Sequence, residues 1–100
     1  MFAETPSFSD PMEDESAVEG SNAILACLAN GSPKPMISWN KDGVVLTEGT
    51  DKRYHMTENG SLFLIKDVHL SDSGRYECLL SNAVGTTRGF STLTVLPSKF

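Results

Sequence analysis

Pairs of turn-forming residues recur at short intervals along this chain, and they limit how long any helix or strand can be. These turn signals are Glu19-Gly20, Asn30-Gly31, Asp42-Gly43, Glu48-Gly49, Asn59-Gly60, Asp72-Ser73-Gly74 and the segment 82–85. The runs between them are rich in Val, Ile, Leu, Thr, Phe and Tyr, without a helical period. This pattern predicts an all-β sandwich or barrel. Asn59-Gly60 gives the strongest hairpin signal, because both residues tolerate the positive φ of a type I′ turn.

Alternation of apolar residues assigns the inward face of each predicted strand. The residues that we expect to point into the core are Ala23, Leu25, Cys27, Ile37, Trp39, Tyr76, Cys78, Leu80, Ser91, Leu93 and Val95. The run from 62 to 65 is apolar on both sides, so alternation alone cannot orient it. The position of Val68 favours Phe63 and Ile65 inward, with Leu62 and Leu64 outward.

The negative charge of the chain is concentrated at one end. The net charge is −5, yet residues 1–20 hold six acidic side chains and no Lys or Arg, and the other eighty residues carry a net +1. This balance argues against a nucleic-acid partner, which usually requires a basic face. A solvated edge strand or tail accounts for the acidic segment, since charges on an edge discourage unwanted strand pairing. A calcium site at a domain junction is the alternative.

Composition places the chain among single globular domains. Apolar residues make up 39% of the 100 residues, which is too high for a disordered chain. No apolar run approaches the roughly 20 residues that a membrane helix needs, so we expect no direct membrane insertion. The first residues lack the basic and apolar regions of a secretory signal, and we interpret the chain as one module of a larger protein.

Residue patterns for catalysis or metal binding are missing from the sequence. His55 and His69 are the only histidines, and neither has a metal-ligand spacing to the cysteines or carboxylates. The stretch 71–74 contains Ser and Asp but is not a G-x-S-x-G nucleophile elbow. Neither phosphate-binding glycine motif is present. We therefore expect no enzyme activity, no cofactor and no metal.

Two sequence motifs include the cysteines. One is a Cys-x11-Trp-x38-Cys spacing formed by Cys27, Trp39 and Cys78. The other is D-x-G-x-Y-x-C at residues 72–78. These motifs resemble the immunoglobulin fold. Residues 35–43 resemble the P-x-I-x-W-x-K-D-G stretch of I-set domains, and residues 82–85 resemble their N-x-x-G turn. The span from Lys41 to Asn59 is too short for the two extra strands of a variable domain, which supports the I-set.

The resemblance implies an I-set β-sandwich of two antiparallel sheets over residues 6–96, with a flanking segment at 1–5 and a linker at 97–100. It also implies a disulfide between Cys27 and Cys78 that Trp39 covers. Tyr76 would bond the backbone at a tyrosine corner, with Asp72 and Gly74 completing the core signature. Asp72 would pair with Arg53, and an exposed pair of this kind contributes about 1 kcal/mol or less.

Two N-x-S sequons, at Asn30 and Asn59, are possible glycosylation sites. Asn-Gly is also what a tight turn favours, and Pro33 follows the first sequon in a context that disfavours modification. Asn59 is the better candidate.

Outward positions of the predicted strands form two apolar groups. Met36, Leu79 and Phe90 belong to the sheet that carries Trp39 and Cys78. The second group, on the sheet that carries Cys27, consists of Ile24, Leu28, Leu62 and Leu64. Contiguous exposed apolar residues often mark interfaces, although neighbouring domains can also cover them. The first group is the better interface candidate of the two, because it flanks the turn at 82–85 at a sheet edge.

The resemblance implies a non-catalytic function as a recognition or spacer module of a multi-domain protein. One class is an extracellular adhesion, matrix or receptor protein, secreted or membrane-anchored, with a formed disulfide and glycans. Its partners would be proteins, a second copy or neighbouring domains. The alternative is an intracellular module of a muscle or cytoskeletal protein, in which the cysteines stay reduced. The complete Cys–Trp–Cys set and the sequons favour the extracellular class.

Overall fold

The computed structural model describes residues 2–99 and shows ten β-strands and one 3-10 turn within them. The strands are β1 (Glu4–Phe8), β2 (Glu15–Val18), β3 (Ala23–Ala26), β4 (Ala29–Ser32), β5 (Met36–Lys41), β6 (Val44–Leu46), β7 (Tyr54–Met56), β8 (Leu62–Ile65), β9 (Gly74–Asn82) and β10 (Gly85–Leu96). The 3-10 turn is Leu70–Asp72. Met1 and Phe100, the ends of the expected flanks 1–5 and 97–100, lie outside the described residues.

The strands form two layers. One sheet has five strands in the order β2-β10-β9-β5-β6, and the other has three in the order β3-β8-β7. All pairings in these sheets are antiparallel except that of β2 with β10, which is parallel. β1 pairs separately with β4, and this pairing starts at Glu4, two residues before the expected domain boundary. The fold is the expected all-β sandwich.

The core lies between the two sheets. Most of the residues that alternation predicts to point inward are buried there. Phe63 and Ile65 are fully buried, whereas Leu62 is 39% exposed and points outward. The other fully buried large side chains include Trp39, Tyr76, Leu25, Leu80, Leu93 and Val68. Ile37, which we expected in the core, is only partly buried. Burial of each large apolar side chain stabilises the fold by about 1.5–3 kcal/mol.

Phe63 is the aromatic centre of this core. Its ring centroid lies 4.9 Å from that of Tyr54, 5.6 Å from that of Trp39 and 6.1 Å from that of Tyr76. The Tyr54 and Tyr76 rings meet it edge to face, an arrangement in which the positive ring edge contacts the negative face. Residues from both sheets therefore meet on one side chain, which fixes how the layers stack.

The two cysteines join the sheets by a disulfide between Cys27 and Cys78. Trp39 lies directly across from Cys78 in the β5–β9 register and is fully buried. Its indole N–H donates a 2.7 Å hydrogen bond to the Gly60 carbonyl. Because a buried indole N–H must find an acceptor, this bond ties the tryptophan to the loop before β8.

The hairpin prediction at Asn59-Gly60 is wrong in its turn type. Of these two residues only Gly60 has a positive φ, at +82°, and the turn spans Thr57 to Gly60, closed by a 2.8 Å backbone bond between those residues. The Asn59 side chain accepts the Ser61 N–H, and this local bond stabilises a longer loop. Positive φ at two successive residues occurs instead at Asp42 (+52°) and Gly43 (+80°), between β5 and β6.

The acidic N-terminal segment ends in an edge strand, as the edge-strand interpretation predicts. β2 lies at the border of the five-stranded sheet. Just before it, the Asp14 carboxylate accepts the Thr92 N–H at 2.9 Å, and the Glu13 carbonyl accepts the Ser91 hydroxyl at 2.6 Å. One acidic side chain therefore has a structural role in fastening the segment to β10.

Candidate interaction surfaces

A groove crosses the outer face of the five-stranded sheet, with a volume of about 390 Å³. We call it the front groove, and its lining residues include Asn40, Arg75, Glu77, Leu79, Arg88 and Phe90. Alternation along β9 and β10 brings them to one face: Phe90 lies opposite Glu77, and Leu79 opposite Arg88. Phe90 is 42% exposed, and Leu79 is half-buried beside it. Two of the three expected interface residues therefore share one groove.

Charged groups frame the apolar centre of the front groove. The Arg75 guanidinium lies over the Phe90 ring, 4.3 Å from the ring centroid, and Asn40 donates a 3.2 Å hydrogen bond to the Glu77 carboxylate. A guanidinium held over an aromatic face gains from the negative ring quadrupole. The groove thus presents an aromatic ring, a leucine and two arginines, which are side chains suited to a protein interface. Arg75 and Arg88 were not among the expected interface residues, although both occupy outward positions of the predicted strands.

Met36 does not line the front groove. It is 77% exposed at the start of β5 and lines a different depression, which we call the side groove, together with Ile37, Val45, Met56 and Asn59. The side groove opens near the loop before β8, with a volume of about 580 Å³.

The outer face of the three-stranded sheet carries the second apolar group, which we call the back patch: Ile24, Leu28, Leu62 and Leu64. Ile24 lies directly opposite Leu64, and Leu64 opposite His55. Ile24 is 56% exposed, and Leu62 and Leu28 are each 39% exposed. Asp10, Glu13 and Glu15 stand beside Ile24 and Leu28 in a shallow groove.

A bidentate ion pair joins the residue before β7 to the 3-10 turn. Arg53 donates to Asp72 through both terminal nitrogens, at 2.7 and 3.1 Å, and also to Asp51. The pair that the resemblance implies is present, but it is not exposed, because the Arg53 and Asp72 side chains are only 15% and 7% exposed. This burial could not be predicted from local patterns, since Arg53 precedes β7, Asp72 ends the 3-10 turn, and the two residues are 19 positions apart.

Hydrogen bonds set the ionisation of this ion pair. Burial raises the pKa of the Asp72 carboxyl, but the Arg53 side chain and the His69 backbone N–H outweigh it, so that pKa lies below its usual value. Backbone and side-chain hydrogen bonds from Arg53 likewise lower the pKa of Asp51. Both carboxylates are therefore held in the charged form.

The Tyr76 hydroxyl donates a 2.6 Å hydrogen bond to the Asp72 backbone carbonyl and completes the corner. The Lys41 ammonium lies at the same corner and donates hydrogen bonds to the Ser71 and Asp72 carbonyls, at 3.2 and 3.3 Å. A Cβ at position 74 would lie 2.9 Å from the Lys41 Cε. The glycine of the D-x-G-x-Y-x-C motif thus leaves room for the lysine chain.

Both sequon asparagines are exposed. Asn59 lies in the loop between β7 and β8, and Asn30 lies within β4, opposite Ser7 of β1. No group of three or more His, Cys, Asp or Glu side chains within residues 2–99 is arranged to hold a metal ion. Over the same residues, no helix is long and apolar enough to cross a membrane.

A family model described as the immunoglobulin I-set domain matches residues 6–95. The chain belongs to the I-set family of immunoglobulin domains. Leucine-rich repeats and immunoglobulin-like domains protein 2 of Mus musculus is 44% identical over 96 residues, which are 95% of this chain and 9% of that protein. The peroxidasin homolog of Homo sapiens is 40% identical over 91 residues, which are 91% of this chain and 6% of that protein. The I-set chain therefore spans less than a tenth of these relatives.

Solved structures of two kinds resemble this I-set domain. An immunoglobulin-domain chain from a complex of titin with obscurin-like 1 superposes with a TM-score of 0.87 at 27% identity, covering 97% of this chain and 99% of that chain. The extracellular domains 3–5 of Drosophila OTK give a TM-score of 0.85 at 34% identity, covering 93% of this chain and 32% of that one. This I-set domain thus shares its backbone fold with a chain of the titin complex and with an extracellular domain of OTK.

Proposed function

We propose that this I-set domain is a non-catalytic interaction or spacer module in a multi-domain extracellular adhesion, matrix or receptor protein. The observation that carries the proposal is the disulfide between Cys27 and Cys78, which uses both cysteines of the sequence. Disulfides persist in oxidising compartments and are rare in the cytosol, where thiols are kept reduced.

The relatives support the same setting. The mouse relative carries leucine-rich repeats beside immunoglobulin-like domains in its name, and the similar OTK domains are described as extracellular. The mouse relative and the human peroxidasin homolog are 44% and 40% identical to this chain, whereas solved titin domains are 27% identical. We infer that the parent of this domain combines it with other modules outside the cell.

The front groove supports the interaction role. Phe90 and Leu79 offer apolar area, and Arg75 and Arg88 offer planar donors for carboxylates or backbone carbonyls. Aromatic and arginine side chains carry much of the binding energy in protein interfaces. We infer a protein partner, or a second copy of this chain, on this face.

An intracellular structural module is the second candidate. It is favoured by the similarity to titin, whose solved domains include complexes with obscurin-like 1 and with telethonin. In this case the cysteines would stay reduced, and the fold would be held by the core around Phe63 and by the Arg53–Asp72 pair.

The location of the native protein distinguishes the two candidates. Cells that express it are labelled with an antibody against the folded domain, before and after permeabilisation, with an antibody to a cytosolic protein as the matched control. The extracellular role predicts labelling of intact cells or recovery of the protein from the medium. Labelling that requires permeabilisation, as for the cytosolic control, together with absence from the medium, would overturn it.

A further inference from the structure

We propose that Asn59 carries an N-linked glycan and that Asn30 stays unmodified. This inference rests on the proposed extracellular setting, because the transfer takes place only in the secretory route. Asn59 begins the sequon Asn59-Gly60-Ser61 and is exposed in the loop between β7 and β8.

Hydrogen bonds in this loop orient the Asn59 amide. Its Oδ1 accepts the Ser61 N–H at 3.1 Å, the Ser61 hydroxyl at 2.8 Å and the Thr57 hydroxyl at 3.1 Å. A backbone N–H can only donate, so the atom that faces it must be the amide oxygen rather than the nitrogen. The Nδ2 therefore takes no part in these bonds, and within residues 2–99 no protein group accepts its hydrogen atoms. A sugar on Nδ2 would break none of these bonds.

All of these bonds join residues no more than two apart in sequence. The loop can therefore form them before the domain has folded, while the chain is still a substrate for transfer. Asn30 has no comparable local arrangement. It belongs to β4, whose partner β1 is distant in sequence, and Pro33 directly follows its sequon.

The transfer is a substitution at carbon and involves no oxidation. The Asn59 Nδ2 forms a bond to C1 of the first sugar of an oligosaccharide linked to a polyprenyl diphosphate. The bond from C1 to the diphosphate oxygen breaks, and the polyprenyl diphosphate leaves with the electron pair. The amide proton passes to a base of the transferase, and the product is a secondary amide.

A glycan at this position would change which surfaces are open to partners. Asn59 lines the side groove beside Met36, Val45 and Met56. A sugar chain there would occupy space that a protein needs in order to reach Met36, although Met36 is 77% exposed in the bare chain. The front groove, on the outer face of the sheet, does not include Asn59 and would stay open. The glycan thus favours Leu79 and Phe90 over Met36 as partner contacts.

The test is translation of the chain behind a cleavable secretory signal in the presence of microsomes, which requires no folding or export. Treatment with peptide N-glycosidase identifies the modified product. The unaltered chain and Asn30→Gln should gain one glycan. Asn59→Gln and Ser61→Ala should gain none, and Ser61→Thr, which keeps a hydroxyl, should gain one. An unmodified chain, or a glycan that survives Asn59→Gln, would overturn the proposal.

A second measurement separates this inference from the proposed function. The chain is secreted from cultured cells, and its intact mass is recorded with and without the glycosidase, after thiol alkylation without reductant. A mass shift that Asn59→Gln removes and Ser61→Thr retains supports the glycan. A secreted, disulfide-bonded chain without a mass shift would overturn the glycan and leave the extracellular role intact. Exclusively intracellular labelling of the native protein would instead overturn the extracellular role.

Discussion

Arg53 holds the Asp72 carboxylate through both of its terminal nitrogens, with Nη1–Oδ2 and Nη2–Oδ1 distances of 2.7 and 3.1 Å. Removing one member of a buried pair leaves the other charge without compensation, which costs about 3–5 kcal/mol. We expect Arg53→Gln to lower the free energy of unfolding by about 3 kcal/mol, at the low end because the pair is partly hydrated. Urea denaturation measures this value. The neighbouring Lys52→Gln, at an exposed position, should change it by less than about 0.5 kcal/mol, and equal effects would contradict the role of the pair.

Acid should weaken the fold through the same carboxylates. The folded-state pKa values of Asp51 and Asp72 lie below their usual values, so the unfolded chain takes up protons first as the pH falls. Their stabilisation is therefore complete above the unfolded pKa of about 3.9 and is lost as the pH falls through the folded values. Urea denaturation at a series of pH values should show this loss, with a shallower fall for Asp72→Asn. An identical pH dependence in the variant would be inconsistent with the lowered Asp72 pKa.

The tyrosine corner predicts a small and specific loss. Tyr76→Phe removes the 2.6 Å hydrogen bond to the Asp72 carbonyl. That carbonyl would still accept the longer hydrogen bond from Lys41. We expect a loss of about 1 kcal/mol in the free energy of unfolding. Tyr54→Phe is the matched control, because within residues 2–99 the Tyr54 hydroxyl makes no hydrogen bond. If both variants lost the same amount, the corner bond would not be the cause.

Removal of the disulfide should have the largest single effect on stability. Cys27 and Cys78 are 51 residues apart, and the chain-entropy model assigns about 4 kcal/mol to a closed loop of this length. The double variant Cys27→Ala, Cys78→Ala should unfold at the same denaturant concentration as the reduced chain and far below the oxidised one. A double variant as stable as the oxidised chain would show that the bond contributes nothing.

Alanine variants of the front groove and of the back patch should give different results in a self-association experiment. Leu79→Ala with Phe90→Ala should weaken self-association at least about tenfold, as expected for loss of a central interface contact. Ile24→Ala with Leu62→Ala, on the back patch, is the control and should have no effect. Sedimentation velocity over a concentration series measures both. A larger loss from the back-patch pair would move the self-association interface to the back patch, and no effect from either pair would exclude both surfaces as self-association sites.

The architecture could be predicted from local patterns, because alternation and turn residues act over a few positions. Phe63 and Ile65 were oriented correctly even though their run is apolar on both sides, and Val68, beyond the end of β8, is buried with them. The turn at Asn59 was predicted with the wrong type. Asn-Gly suits several turns, and the hydrogen bond that the Ser61 N–H donates to the Asn59 side chain favours the longer loop.

The surfaces were harder to predict, because they depend on register between strands distant in sequence. Leu79 and Phe90 were recognised as outward, and alternation also places Arg75 and Arg88 on that face. The contact of Arg75 with Phe90, however, depends on how β9 and β10 are aligned. Met36 was grouped with them because alternation places it on the same face of the sheet. It lines a different groove because it lies at the start of β5. The burial of Arg53 likewise depends on its packing against the 3-10 turn, which is distant in sequence.

The redox state of the native protein tests the extracellular role most directly. Protein isolated from cells that express it naturally is alkylated without reductant, digested and analysed by mass spectrometry. The proposed role predicts that the peptides containing Cys27 and Cys78 are recovered as a disulfide-linked pair that separates only on reduction. Recovery of both cysteines in alkylated, unlinked peptides would contradict it and would favour the intracellular module.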